Sequence, residues 1–233
     1  MAVVSYQQRR SELLTYFDRT AADAWARLTS TAPVGRIRAT VRAGRDSMRA
    51  TLLSFLPGDL SGRRLLDAGC GTGAFSVAAA ERSASVLAID LSPTLVALAR
   101  ERLPQQLAAG RIDFRVGDMS DPALGEFDHV VAMDSLIHYT AGDVVRVLAG
   151  LAARTRHSIV FTFAPRTPAL AAMHAVGRLF PRGDRAPAIE PVAERELRGR
   201  IAREPQLQQW RIGRTVRITS GFYKSQAMEL VRP

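Results

Sequence analysis

The sequence predicts an α/β domain: a seven-stranded, mostly parallel sheet closed by an antiparallel C-terminal hairpin and preceded by a helical N-terminal segment. Three observations carry this expectation. Between residues 60 and 165, short apolar runs alternate with helix-forming stretches of about ten residues, the pattern of βαβ units. A glycine-rich turn follows the first apolar run and opens a helix. The last 25 or so residues alternate apolar and polar side chains, as a half-buried antiparallel pair does. A length of 233 residues suits one domain with a core large enough to need no staple. The single cysteine, Cys70, excludes an internal disulfide and a multi-cysteine metal site.

Residues 1–58 read as a helical arm. SELLTYFD and AADAWARL space their apolar residues helically, and Val34, Ile37, Val41, Met48, Leu52 and Phe55 form one stripe. Arg38, Arg42, Arg45 and Arg49 lie on a neighbouring face, and Pro57-Gly58-Asp59 ends the helix. Residues 59–233 form the main unit. Its expected parallel strands are Arg64–Ala68, Ser85–Ile89, Ile112–Val116, Phe127–Met133 and Ser158–Phe163. Helices are expected over Ala74–Ala80, after Ser92-Pro93 as N-cap and first-turn proline, and over Ala141–Ala153. Residues 166–204 read as two helices around a proline-bearing loop, an insertion on the substrate side. Residues 207–217 and 221–231 read as the closing hairpin.

Lys+Arg exceed Asp+Glu by ten, yet only Lys224 is a lysine. That skew reflects genome composition as readily as selection for an anionic partner, and the arginine face reads by default as solvated. Hydrophobic residues at 47% and charged residues at 23% exclude a disordered chain. No apolar run is long enough for a transmembrane helix, and the N-terminus lacks the apolar core of a secretory leader.

The chemistry is carried by LLDAGCGTG, Leu65–Gly73. Glycines permit positive φ and close approach of a ligand to the backbone, and a helix start offers free N–H groups. Asp90 stands 23 residues after Asp67 at the end of an apolar run, where an acid can accept hydrogen bonds from ribose hydroxyls. Ala74 replaces the last glycine of the strict dinucleotide-binding pattern. Asp67-Ala-Gly69-Cys-Gly71-Thr-Gly73 resembles motif I of the class I S-adenosylmethionine-dependent methyltransferases. The resemblance implies a Rossmann-like fold and a site built from Asp67, Gly69, Gly71, Gly73, Asp90, Leu91, Ser92, Asp118, Met119, Met133 and Asp134. The expected product of the cofactor is S-adenosylhomocysteine.

Local strings narrow this further. TYFDRTAADAW, VRAGRDSMRATLL, MDSLIHYT, TFAPRTP and LFPRGDRAP resemble, in order along the chain, the magnesium-protoporphyrin O-methyltransferases of bacteriochlorophyll synthesis. The resemblance implies esterification of one propionate of magnesium protoporphyrin IX, with magnesium present only in the substrate. It implies an N-terminal helical lid with Tyr16 over the cofactor and Arg42 on the cofactor carboxylate. His138 is the expected catalytic residue, against a carboxylate or the magnesium; the competing reading is a histidine packed in a strand–helix turn. Arg166 is expected on the second propionate. A tyrosine that the family places near the reacting carboxylate is Thr29 here, so Thr29 is expected beside the substrate while the phenol's catalytic role does not carry over.

His129, His157, His174 and Cys70 are expected to pack, Phe17 and Trp25 read equally as lid residues over the cofactor or as helix packing, and no protein-bound metal is expected. Ala169–Phe180 suits a macrocycle, a membrane surface or plain core. The expected location is cytoplasmic with peripheral contact to the photosynthetic membrane, the expected partner protein is the porphyrin-binding subunit of magnesium chelatase, and nucleic acid is not expected. Two other readings stand beside this one: a methyltransferase of another acid, a quinone precursor or RNA, and a non-catalytic porphyrin escort. The segment after the fourth strand, Asp134-Ser135-Leu136-Ile137, lacks the strings of base methylation.

Overall fold

The computed structural model describes residues 6–16, 18, 29, 35–104, 110–166 and 189–233. The arm supplies α1 (Tyr6–Thr15) and α2 (Arg36–Ser54). Then follow β1 (Arg64–Ala68), α3 (Ala74–Ala80), β2 (Ser85–Asp90), α4 (Pro93–Glu101), β3 (Arg111–Val116), β4 (Phe127–Ala132), α5 (Ala141–Ala152) and β5 (Thr155–Phe163). The chain ends with α6 (Glu194–Arg203), β6 (Arg211–Ser220) and β7 (Tyr223–Val231). Phe17, Trp25, His174 and the Ala169–Phe180 segment lie outside the described residues, as does the first helix expected within 166–204.

The seven strands lie in the order β3-β2-β1-β4-β5-β7-β6. β1 to β5 are parallel, and β7 runs antiparallel between β5 and β6. Strand order reverses between β1 and β4, which opens a crevice at their carboxyl ends where ligands bind in such sheets. Successive side chains alternate between two cores. Leu66, Ala68, Val130 and Phe161 pack beneath α5 and α6, while Leu65, Val131 and Val160 pack beneath α2 and α3.

Caps explain the helix starts. Ser92 Oγ accepts from Leu95 N–H at 3.2 Å with Pro93 in the first turn, and Thr140 Oγ1 accepts from Asp143 N–H at 3.2 Å. The structure departs from the expectations at several points. β4 stops at Ala132, because Asp134 turns left-handed with φ 55°. β6 starts at Arg211 rather than 207, because Pro205 opens a 3-10 turn ending at Leu207. The apolar stripe of α2 is buried only in its second half: Met48, Leu52 and Phe55 are covered, whereas Ile37 is 60% exposed.

α2 lies against β6 and β7. A side chain at Gly44 would collide with the Tyr223 ring at 2.5 Å, and Ser220 Oγ donates to Thr40 O at 2.8 Å. Arg214 bonds Glu229 in bidentate fashion and donates to the carbonyls of Ser54 and Phe55, which closes the last turn of α2.

Candidate active site

A cavity of about 570 Å³ opens at the carboxyl ends of β1, β2 and β4. Its floor is the glycine loop. The N–H groups of Gly69 and Cys70 donate to Ile89 O at 2.8 and 3.0 Å, which ties the loop to β2. Gly69, Gly71 and Gly73 have φ of 84°, 54° and 78°, a region that disfavours other residues. Their reasons differ. A Cβ at Gly69 would lie 2.4 Å from Ser135 Cβ, and one at Gly73 would lie 2.9 Å from the Phe114 ring. A Cβ at Gly71 would meet nothing within 4 Å, and Gly71 lines the cavity, so the space above it is left for a ligand.

Two acids brace this floor. Asp90 accepts from Gly71 N–H at 2.8 Å through one carboxylate oxygen and from Ser92 N–H at 3.0 Å through the other. Burial pushes its carboxyl above the usual range, against these two bonds. Asp67 is buried and accepts from Ser76 Oγ. Its carboxyl is pushed up to about 7, by burial first and by the Asp90 charge as well, with Ser76 opposing. The buried Cys70 thiol is raised by burial and by both acids, which removes thiolate chemistry.

The opposite wall is the exit of β4. Asp134 N–H donates to Thr162 Oγ1 at 2.7 Å, and its carboxylate accepts from Arg45 Nη1 at 2.7 Å and Tyr223 OH at 3.0 Å. Burial and the Asp134 charge hold the Tyr223 phenol above its ordinary value, so it remains a donor. Next comes a 3-10 turn, Leu136–His138, which buries His138 against the cavity.

The roof is the arm. Leu13 of α1 lines the cavity and joins the core. Arg10 pairs with Asp118 at 3.1 Å, just beyond β3, and Arg9 pairs with Glu190 at 3.0 Å. Asp18 accepts from Ser92 Oγ, Thr94 N–H and Thr94 Oγ1, at the start of α4. The arm is thus fastened to the two loops that follow β2 and β3.

Of the site residues expected from sequence, Thr29, Arg42, Asp67, Gly69, Gly71, Asp90, Leu91, Ser92, Asp118, Met119, Met133, Asp134 and His138 all line the cavity. Gly73 stands behind the wall, packed on Phe114 and Ala99. Tyr16 is half-buried beyond Leu13 and is not among the described residues of the wall. Arg166 is exposed and off the wall, its N–H bonded to Val192 O. Thr29 Oγ1 accepts from Arg102 Nη1 at 2.8 Å. The arginine face of α2 is not the solvated surface expected by default: Arg42, Arg45 and Arg49 turn to the cavity, and only Arg38 is fully exposed. Ser135 and Arg45 are wall residues that sequence reasoning did not place there. The signal for Arg45 was its spacing of three from Arg42.

His129 packs in the sheet as expected, bonded through Nδ1 to Ser158 Oγ at 2.7 Å, and burial beside His157 lowers it to about 4. His157 lies in β5 with its side chain half exposed beside Arg63 and Asp128.

Comparison with known proteins settles the family. A profile described as "Magnesium-protoporphyrin IX methyltransferase C-terminus" matches residues 132–232, and one described as "Methyltransferase domain" matches residues 65–158. A magnesium-protoporphyrin O-methyltransferase of Rhodobacter capsulatus is 50% identical over 96% of this chain and 97% of its own. The chain belongs to the magnesium-protoporphyrin O-methyltransferase family. The chloroplastic magnesium protoporphyrin IX methyltransferase of Arabidopsis thaliana, a further similar protein, is 30% identical over 93% of this chain and 69% of its own. The crystal structure of magnesium protoporphyrin IX methyltransferase (ChlM) from Synechocystis PCC 6803 with bound SAH superposes with a TM-score of 0.80. It is 28% identical, covering 96% of this chain and all of the other. The class I methyltransferase fold expected from the glycine loop is the fold observed.

Proposed function

We propose that this protein transfers the methyl group of S-adenosylmethionine to a propionate carboxylate of magnesium protoporphyrin IX, giving the monomethyl ester and S-adenosylhomocysteine. The observation that carries this reading is the 50% identity along nearly the whole of both chains, which spans the glycine loop and the C-terminal region alike. The cavity fits the cofactor on its own terms. Open space above Gly71 admits a ligand against the backbone, Asp90 is fixed at the end of β2 where an acid can accept from a ribose, and Arg42 faces in from α2.

When bound, S-adenosylmethionine supplies an electrophilic methyl group on a positively charged sulfur. A propionate has an unperturbed pKa of about 4.3 and is ionised at neutral pH, so the protein needs no strong base. Its oxygen forms the new O–C bond while the C–S pair stays with sulfur, and the two charges cancel. The protein's work is therefore positioning in a dry site. In this reading Asp90 holds the ribose, Leu91 and Met119 flank the adenine with Asp118, and Arg42 meets the cofactor carboxylate. His138 orients the reacting carboxylate or the substrate's magnesium, Leu13 helps to exclude water, and residues 1–58 act as the lid.

The deciding experiment mixes the protein with S-adenosylmethionine and magnesium protoporphyrin IX and follows the monomethyl ester by chromatography. Ester is expected, with metal-free protoporphyrin reacting poorly. Cofactor binding without ester would move the reading to another acid or a quinone precursor.

The reading extends to a peripheral membrane contact. No helix among the described residues is long and apolar enough to cross a membrane. Ile37 and Phe222 are about 60% exposed at the start of α2 and the tip of the β6–β7 hairpin, with exposed Arg36 and Arg38 beside them. Co-sedimentation with anionic vesicles is expected to fall in an Ile37→Asp, Phe222→Asp variant. Association with the porphyrin-binding subunit of magnesium chelatase is expected at low salt, and failure to co-purify there would remove that partner.

A further inference from the structure

Ser135 lines the cavity, yet its Oγ is buried and reaches no hydrogen-bond partner among the described residues. A buried hydroxyl without a partner is costly, and most native ones are satisfied. Its position narrows what satisfies it. Ser135 precedes the 3-10 turn Leu136–His138, and such a turn has about three residues per revolution, so residues 135 and 138 share a face. Both line the cavity. Ser135 is also the residue whose Cβ leaves Gly69 no room for a side chain. The Ser135 side chain therefore stands where the glycine loop meets the His138 turn; its Oγ is closed off from the open space as it stands, and rotation about χ1 is what brings it to a ligand there.

The turn itself is held firmly. Asp134, one residue earlier, is bonded by Arg45, Tyr223 and Thr162. The lack of a partner at Ser135 thus sits directly beside a residue with several.

We propose that Ser135 Oγ donates a hydrogen bond to the carboxylate of the methyl acceptor, beside His138. The hydroxyl then holds one oxygen of the carboxylate and leaves the other to face the methyl group, with His138 on the same face of the turn. The inference rests on the reading that a carboxylate is the acceptor.

The test compares Ser135→Ala with the native enzyme in three measurements. The kcat/KM for magnesium protoporphyrin IX is expected to fall about tenfold to a hundredfold, as for a lost hydrogen bond to a charged group. The Kd for S-adenosylhomocysteine is expected to stay within about twofold, and the melting temperature of the ligand-free variant is expected to equal or exceed the native value, because an unsatisfied hydroxyl has been removed. A kcat/KM within about twofold of native overturns the proposal. So does a loss that appears equally in S-adenosylhomocysteine affinity, which would make Ser135 a cofactor contact, or a lowered melting temperature, which would make it structural. Failure of the native enzyme itself to esterify the porphyrin would identify the substrate reading as the error, and the proposal would fall with it.

Discussion

Arg45 Nη1 lies 2.7 Å from Asp134 Oδ2, an ion pair that joins the second helix of the arm to the exit of β4 across 89 residues of sequence. The Asp134 side chain is only 6% exposed. Breaking such a pair from one side leaves a buried charge unmatched, at a cost of about 3 kcal/mol. Arg45→Met is therefore expected to be strongly destabilised in urea, and adding Asp134→Asn is expected to restore much of the loss. The double-variant recovery separates charge burial from simple loss of packing.

Two glycines of the loop make opposite predictions. Gly71→Ala places a methyl group in open space, so stability falls only by the left-handed strain, about 1–2 kcal/mol. Cofactor affinity, read by calorimetry, is expected to fall much further. Gly69→Ala drives a methyl group to within 2.4 Å of Ser135 Cβ, and the folded state itself is expected to suffer.

For His138→Ala, turnover is expected to fall about a hundredfold while the Kd for S-adenosylhomocysteine stays within about twofold. Steady-state kinetics with both substrates check this. Equal turnover in the two proteins would remove His138 from the mechanism.

Stability should respond to pH in two windows. Asp67 has a folded pKa of about 7 against an ordinary 3.8, so the folded state holds a proton that the unfolded chain loses first. Its contribution is favourable at low pH and is lost as pH rises toward 7. Asp67→Asn is thus expected to gain on the native protein in melting temperature from pH 4 to 7 and to hold that gain above. His129 works in the other direction. Its folded pKa of about 4 lies below the ordinary 6.5, so stability is complete above about pH 6.5 and is lost as pH falls toward 4. His129→Gln is expected to flatten that acid limb in the same melting series.

What the sequence made legible is what short-range pattern can encode. The parallel strands, the Ser92 and Thr140 caps and the glycine loop each announce themselves within a few residues. Asp90 was legible because the loop and the end of the next strand keep a fixed spacing. The Asp134 centre was not, since Arg45 and Tyr223 each lie 89 residues away from it and no periodicity links them. Arg166 carried its expectation through the resemblance alone; in the structure it is exposed and off the cavity wall, with its N–H on Val192 O. The arginines of α2 show the limit of helical periodicity, which groups residues on a face without saying what that face meets.

The seating of α2 on the β6–β7 hairpin has a consequence for how the protein is made. The helix is synthesised well before its counterpart, the β6–β7 hairpin, and the Ser220–Thr40 bond spans 180 residues. Until that hairpin exists, Tyr223 cannot fill the groove at Gly44, and Asp134 lacks one of its donors. The Asp134 wall of the cavity is therefore complete only after β7 has been made. A nascent chain that has not yet reached β7, or one clipped before it, is expected to carry the glycine loop braced by Asp90 while Asp134 still lacks its Tyr223 donor, so the two walls of the cavity mature at different times.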